Sequence, residues 1–480
     1  MAPDLGWNFD NSYARLPAVL FAPCEAARFA APKLVIANDA LAREIGLELS
    51  RASADELAAI FAGQTLPAGA TPIAQAYAGH QYGHFTMLGD GRALVLGEQM
   101  TPSGARVDIQ FKGSGETRYS RRGDGRAALG PMLREYLVSE AMHALGIPST
   151  RSLAVVATGE TVARGAGKPG AVLVRVASSH IRVGTFQFAA GLEDIEVLRA
   201  LADHAIARHD AELVDSPAKY AEFLAAVIAR QAALVARWQC VGFVHGVLNT
   251  DNTAVSGETI DYGPCAFMDA YNPDTVFSSI DHHGRYRYAH QPAIIQWNLA
   301  RFAEAMVPLL SDDEPTAIAR ANEALERFAP LYRAAWLAGM RAKLGLMRED
   351  PDDLALVQDL LAAMQAAHAD FTNTFRALSS GATPEGLEAW VARWHARLDR
   401  DGRVREEAFG AMRAVNPAVI PRNHRVEEAL AAAEERDDLA PFRELLAVVS
   451  RPFELATGHA AYAEPAPREF SEFYRTFCGT

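Results

Sequence analysis

Cysteine is scarce in this chain, long apolar runs are missing, and basic charge is outnumbered. The four cysteines, Cys24, Cys240, Cys265 and Cys478, show no CxxC pairing among 480 residues, so neither a cysteine zinc site nor a secreted disulfide framework is indicated. No stretch approaches the roughly 18 uncharged apolar residues that a membrane span requires. Residues 1–10 lack the basic and apolar regions of a signal peptide, so a cytoplasmic protein away from membranes is expected. Lys and Arg number 46 against 59 acids, a formal charge of −13, which disfavours a broad nucleic-acid surface while leaving room for local basic pockets. What is present is ordinary globular composition, half of it apolar, in a chain too long for one core.

From about residue 77 to 183, short apolar runs alternate with glycine-rich turns. Strands are predicted at 92–96, 107–111, 153–158 and 171–176, each short, rich in Val, Leu or Ile and bounded by turn residues. A helix is predicted over 131–145, where Leu133, Leu137, Ala141 and Ala144 recur at helical spacing and Gly146 supplies a stop. Beyond about residue 193 the pattern is mainly helical, and two faces stand out near the end: Phe371, Phe375 and Leu378, then Leu387, Val391 and Trp394. The expected class is therefore α+β, a sheet-rich part followed by helices. The pentapeptide Gly-Asp-Gly-Arg-Ala occurs at 89–93 and again at 123–127, which reads as two separate turns.

The strongest chemical signal is Phe243-Val244-His245-Gly246-Val247-Leu248-Asn249-Thr250-Asp251-Asn252, followed by Asp261-Tyr262-Gly263. Protein-kinase catalytic loops run His-Arg-Asp-Leu, three free positions, then Asn, with an Asp-Phe-Gly metal motif downstream. His245, Leu248 and Asn252 fall in that register, but Val247 occupies the place of the catalytic Asp. Asp251 offers a nearby carboxylate. Asn252 and Asp261 supply the hard oxygens that Mg²⁺ accepts. Upstream, Lys112 ends a strand-like run and Glu135 lies in the following helix, where the two can pair. Each feature alone reads equally well as a turn residue or a solvated charge. All four in this order are hard to obtain by chance.

Several longer motifs resemble one family. They are Phe9-Asp10-Asn11-Ser12-Tyr13-Ala14-Arg15-Leu16-Pro17, Leu88-Gly89-Asp90-Gly91-Arg92-Ala93, Lys112-Gly113-Ser114-Gly115-Glu116-Thr117 and Ser120-Arg121-Arg122-Gly123-Asp124-Gly125-Arg126. Asn249 to Asn252, Asp261 to Pro264, Asn416-Pro417 and Arg422-Asn423 continue the likeness. Together, from about Asp10 to Cys478, they are similar to the selenoprotein O family of protein adenylyltransferases.

That resemblance implies a divergent protein-kinase-like two-lobe fold with an additional C-terminal helical region. On it, residues 1–76 are an N-terminal extension, 77–190 a sheet-rich nucleotide-binding lobe, 191–310 a helical lobe with the catalytic and metal loops, and 311–480 a C-terminal helical region. It also implies ATP bound in a flipped orientation, with AMP passing to Ser, Thr or Tyr hydroxyls of proteins and pyrophosphate leaving. Lys112, Arg175 and Arg182 match the family's phosphate-binding positions, and Gly89, Gly91, Arg92, Asp124 and Gly125 its nucleotide-contacting turns. Asp251 matches the general base. Asn252 and Asp261 match the ligands of Mg²⁺ or Mn²⁺, and Asp261 also faces the nucleotide. Protein substrates and ATP are the implied partners, with UTP as a nucleotide left open. A γ-phosphoryl kinase and a non-catalytic ATP-binding scaffold are the alternatives; Val247 argues against the first, and the retained Lys112, Asp251, Asn252 and Asp261 against the second.

Cys478 fits the family's redox-active cysteine near the end, but the position aligned with its usual partner is Phe277. Cys265 is the other candidate partner. His80 and His84 have the spacing of a helical metal pair, but Gly83 lies between them and no acid is nearby, so they are set aside. His282-His283 and the group Asp203, His204, His209 and Asp210 read as polar surface.

Overall fold

Val172, Val174 and Val176 alternate with Leu173, Arg175 and Ala177 in the second half of the strand Lys168–Ala177, giving that half one apolar face and one that carries a charge. In the computed structural model, which describes residues 3–164, 167–402 and 404–477, this strand lies inside an antiparallel sheet. From edge to edge the path runs Phe21–Pro23, Ile73–Gln75, Ala93–Met100, Arg106–Lys112, Lys168–Ala177, Arg151–Val162 and Lys33–Ala37. The short strand Ala127–Ala128 pairs beside the start of Lys168–Ala177. Residues 1–76 thus contribute three of the strands.

The three valines join Leu94, Ile109 and Phe111 in a core closed by the helices Asp39–Glu44 and Ala54–Phe61. On the opposite face, Leu173 and Val155 pack under the helix Leu129–Ala144 through Leu133 and Leu137. A later helix, Asn423–Arg436, adds Val426 and Leu430 to that second core. The register places Gln110 opposite Arg175 and Lys112 opposite Leu173, so the polar side chains emerge on the face that carries the Leu129–Ala144 helix. The sheet therefore presents charge where that helix leaves space.

All four predicted strands and the predicted helix exist. The strand expected at 92–96 runs on to Met100, because Gly97 sits at a register shift and does not end it. A Cβ there would meet the Phe9 ring at 2.7 Å and Asn11 Oδ1 at 2.8 Å. Glycine was read as a terminator; it is the residue that lets the amino-terminal segment lie on the strand.

The helical part begins with Val183–Ala190 and centres on the long helix Lys219–Val241, which Gly242 ends in the left-handed conformation at φ 71°. Immediately after it, Phe243–Val244 pairs with Ala266–Phe267, and this two-stranded ribbon clamps the base of the loop between them. Phe371, Phe375, Leu378, Leu387, Val391 and Trp394 share one core, as their spacing predicts. The Arg422 side chain is fully buried and bonds Asp269 at 2.6 Å and Asp370 at 2.7 Å, joining the C-terminal helices to the segment after Asp261-Tyr262-Gly263. Arg422→Met leaves two buried carboxylates without their cation. It is expected to lower unfolding free energy by about 3–5 kcal/mol, read by chemical denaturation.

Candidate active site

Burying the Arg175 guanidinium in a strand costs several kcal/mol unless it is paired. Its partners are Glu135 Oε1 at 2.5 Å, Asp261 Oδ1 at 2.7 Å and Gln110 Oε1 at 3.1 Å. Lys112 Nζ reaches the same two acids, Glu135 Oε2 at 2.7 Å and Asp261 Oδ1 at 3.1 Å. Arg182 Nη1 holds Asp261 Oδ2 at 2.5 Å and the Asp251 carbonyl at 2.6 Å, with its guanidinium carbon 4.7 Å from the centre of the Tyr77 ring. Three cations thus converge on Asp261. Burial raises the Asp261 pKa, but Arg175, Arg182 and Lys112 outweigh it and hold the carboxyl well below the usual range. The same contest, won by Arg175 and Lys112, lowers Glu135. Asp261 has φ 61°, so the backbone is turned into an uncommon conformation to deliver this carboxylate.

Several buried contacts fix the loop that carries Asp251 and Asn252. His245 Nε2 lies 2.8 Å from the Ile260 carbonyl, and Asn298 Nδ2 donates to the Leu248 carbonyl at 3.1 Å and to Thr253 Oγ1 at 2.9 Å. Asn252 Nδ2 donates to the Val247 carbonyl at 2.9 Å, which fixes the amide and leaves its oxygen as the acceptor. Asp251 is 7% exposed. Its Oδ1 has no hydrogen-bond partner, and burial pushes its pKa up to about 6 against the lowering effect of Arg182. A buried carboxyl that ionises near neutrality can take up a proton during a reaction.

The hairpin Ala78–Gln81 with His84–Met87 lies over this loop. A Cβ on Gly79 would stand 2.3 Å from Asp251 Oδ1. Gly79→Ala is therefore expected to displace the carboxylate and cut turnover by about 10²-fold, as ångström-scale misplacement does. Overpacking is expected to cost only about 1–3 kcal/mol in a parallel melting curve. A variant that melts normally and turns over at the wild-type rate would refute the contact.

Every nucleotide, catalytic and metal candidate named from the sequence lines one cleft of about 720 Å³ between sheet and helices. Their surroundings differ. Space beside Gly89, at φ 132°, is taken by the Tyr119 ring, and space beside Gly91 by the Tyr119 carbonyl, so these glycines let a neighbouring loop approach. Between them, the buried Asp90 accepts from the Gln75 N–H at 3.0 Å, and burial pushes it up to about 6. At the rim, Asp124 is held to about 2, chiefly by its hydrogen bonds from Arg164 at 2.8 and 3.0 Å. Arg92 is half-buried on the same wall.

Sequence reasoning missed Arg164, Asn298 and the hairpin, and it misread one cluster. Asp210 is buried and bonded to Arg230 at 2.6 Å, while His204 stands edge-on to Tyr13 and burial lowers its pKa to about 4, so these two turn inward where polar surface was expected; Asp203, paired with Lys219, does lie at the surface. His80 and His84 lie on opposite strands of the hairpin, and His80 Nδ1 meets Gln187 Nε2 at 2.9 Å. Cys478 lies outside the described residues. The Phe277 carbonyl accepts from Thr476 N–H at 2.8 Å, and burial pushes the Cys265 thiol up to about 12, which suppresses its thiolate. Among the described residues no helix is long and apolar enough to cross a membrane.

Buried cations gathered on one carboxylate, beside a second carboxyl whose pKa burial raises to about 6, make this cleft the candidate site for a phosphate-bearing substrate. The family described as "Protein adenylyltransferase SelO" matches residues 3–450. The chain belongs to that family. The protein nucleotidyltransferase YdiU of Halalkalibacterium halodurans is 57% identical over 487 residues, covering 100% of this chain and 99% of the relative. The YdiU protein of Geobacillus kaustophilus is 58% identical over 485 residues, covering 99% and 100%. That of Nitrosococcus oceani is 55% identical over 485 residues, covering 99% and 98%.

Proposed function

We propose that this enzyme transfers AMP from ATP to Ser, Thr or Tyr hydroxyls of proteins, in a divergent kinase-like frame whose lobes are residues 77–190 and 191–310. The observation that carries the reading is the convergence of Lys112, Arg175 and Arg182 on Asp261. Those cations suit the β- and γ-phosphates of a nucleotide bound with its γ-phosphate inward, where charge grows on departing pyrophosphate. The α-phosphorus is then presented toward Asp251. The acceptor oxygen forms a bond to it, the bond to the β-phosphate bridging oxygen breaks, pyrophosphate leaves with that electron pair, and the hydroxyl proton passes to Asp251. Gly89, Gly91, Arg92, Asp124 and Gly125 shape the outer wall along which the nucleoside lies.

The donor set fits a divalent ion. Asn252 offers a fixed amide oxygen and Asp261 a carboxylate, and among the described residues no group of three or more His, Cys, Asp or Glu forms a self-sufficient metal site. Two hard protein oxygens completed by phosphates and water suit Mg²⁺ or Mn²⁺. When bound, the ion neutralises phosphate charge.

ATP labelled at the α or the γ phosphate tests the reading. Label from the α position is expected on acceptor protein and none from γ, and Val247→Asp is expected to gain no γ transfer. Phosphoryl transfer by either protein would show a kinase orientation, and label from neither position a scaffold.

A further inference from the structure

The hairpin over the catalytic loop is tied down on its inner strand and exposed on its outer one. His80 N–H donates to Thr250 Oγ1 at 2.7 Å and Tyr82 N–H to Asn249 Oδ1 at 3.1 Å, so the hairpin is bonded to the two residues before Asp251. Phe85 and Met87 on the outer strand are nevertheless 52% and 51% exposed. They do not stand alone. His80 packs edge-on between Phe85 at 5.2 Å and Trp297 at 5.1 Å, extending the apolar face onto the helix Gln291–Leu310.

Arg285 closes this face. Its guanidinium carbon lies 5.0 Å from the centre of the Trp297 ring, and a Cβ on Gly83 at the hairpin tip would come within 3.9 Å of it. Neighbouring cations are neutralised: Arg301 pairs with Glu304, and Arg287 with Asp274 at 3.1 Å. The Arg285 backbone N–H donates to Asp281 Oδ1 at 2.8 Å, but among the described residues its guanidinium forms no ion pair with a carboxylate, and its buried Nε has no hydrogen-bond partner. In a chain of net charge −13, an unneutralised arginine held against a tryptophan offers a carboxylate a charge-assisted bond on a partly dry surface. The same patch adjoins Asp251, whose buried Oδ1 is itself without a partner.

We propose that the hairpin face and Arg285 are the docking surface for the acceptor protein. An extended acceptor segment sets an apolar side chain on Phe85 and Met87 and a carboxylate on Arg285, which brings its hydroxyl to Asp251. The preferred acceptor is thus a Ser, Thr or Tyr flanked by one acidic and one large apolar residue. This rests on the proposed transfer reaction, so binding and transfer are to be read separately.

Fluorescent tyrosine peptides flanked by Glu and Leu, or by Lys and Leu, supply the probe. Wild-type protein is expected to bind the Glu peptide about tenfold more tightly by anisotropy without nucleotide, the scale of one good charge pair. Arg285→Glu is expected to reverse that preference and Arg285→Lys to keep it. Phe85→Ser is expected to raise the KM for the Glu peptide about tenfold, with kcat little changed, when α-label transfer is measured. Equal binding of both peptides to wild type, or a preference unaltered in Arg285→Glu, overturns the surface. Charge-dependent binding without α-label transfer upholds the surface and removes the transfer reading alone.

Discussion

Replacing Asp261 by Asn is expected to reduce AMP transfer by about 10³-fold, the scale seen when one electrostatic element of a reacting site is lost, and yet to tighten metal-free ATP binding. In the ligand-free protein this carboxylate is the common anion for Lys112, Arg175 and Arg182, at 3.1, 2.7 and 2.5 Å. A triphosphate entering on those cations must compete with it. Asparagine is nearly isosteric and uncharged, so the competitor disappears while the cations stay, Lys112 and Arg175 still paired with Glu135. The ligand-free variant is expected to lose about 3–5 kcal/mol of stability, as buried pairs do when one partner is removed. ATP then supplies the missing negative charge. Thermal melts with ATP and chelator should therefore show a larger ligand-induced rise for the variant than for wild type. Near-normal transfer, or a smaller rise than wild type, would show that Asp261 does not hold these cations against the nucleotide.

The sequence was most informative where chemistry is ordered along the chain. Lys112, Glu135, Asn252 and Asp261 were placed together because a strand lysine, a helix acid, a loop amide and a metal carboxylate occurred in one recurring order, and three of them now touch Arg175 or each other. Arg175 itself was recognisable as an anomaly, a charge inside an apolar strand. Contacts made across long stretches of chain left no local trace. Glu434 accepts from the Gly130 N–H at 2.9 Å across 304 residues, and it binds Lys168 at 2.6 Å across 266; neither spacing could be read beforehand. Gly97 and Gly79 show the same limit. A glycine announces that something comes close but does not say what: for Gly97 it is Phe9, for Gly79 the carboxylate of Asp251.

Asp251→Asn is expected to make the enzyme nearly inactive and, above neutral pH, more stable. To take the acceptor's proton, the role proposed for it, Asp251 must be ionised, and with its pKa raised to about 6 transfer activity should rise with pH through about 6 and then level off. Losing a general base typically costs about 10²- to 10⁴-fold, and the residual rate of the variant should no longer follow this titration. Stability runs the other way. The folded-state pKa lies above the ordinary value of 3.8, so the folded protein holds this proton more tightly than the unfolded chain. The contribution is fully present below the unfolded pKa and is lost as pH rises through the folded one. At pH 8 the wild type carries a buried carboxylate at a cost of at most about 3 kcal/mol, and asparagine does not. Asp90, also near 6 through burial, titrates in both proteins, so the difference between their stability curves isolates Asp251. Denaturation across pH 4 to 8 should show the variant gaining on wild type mainly between pH 4 and about 6, with the gain then holding level to pH 8. A variant that loses activity but shows no such gain would mean that Asp251 is stabilised as an anion by contacts within the cleft, and that its role is to bind and not to accept a proton.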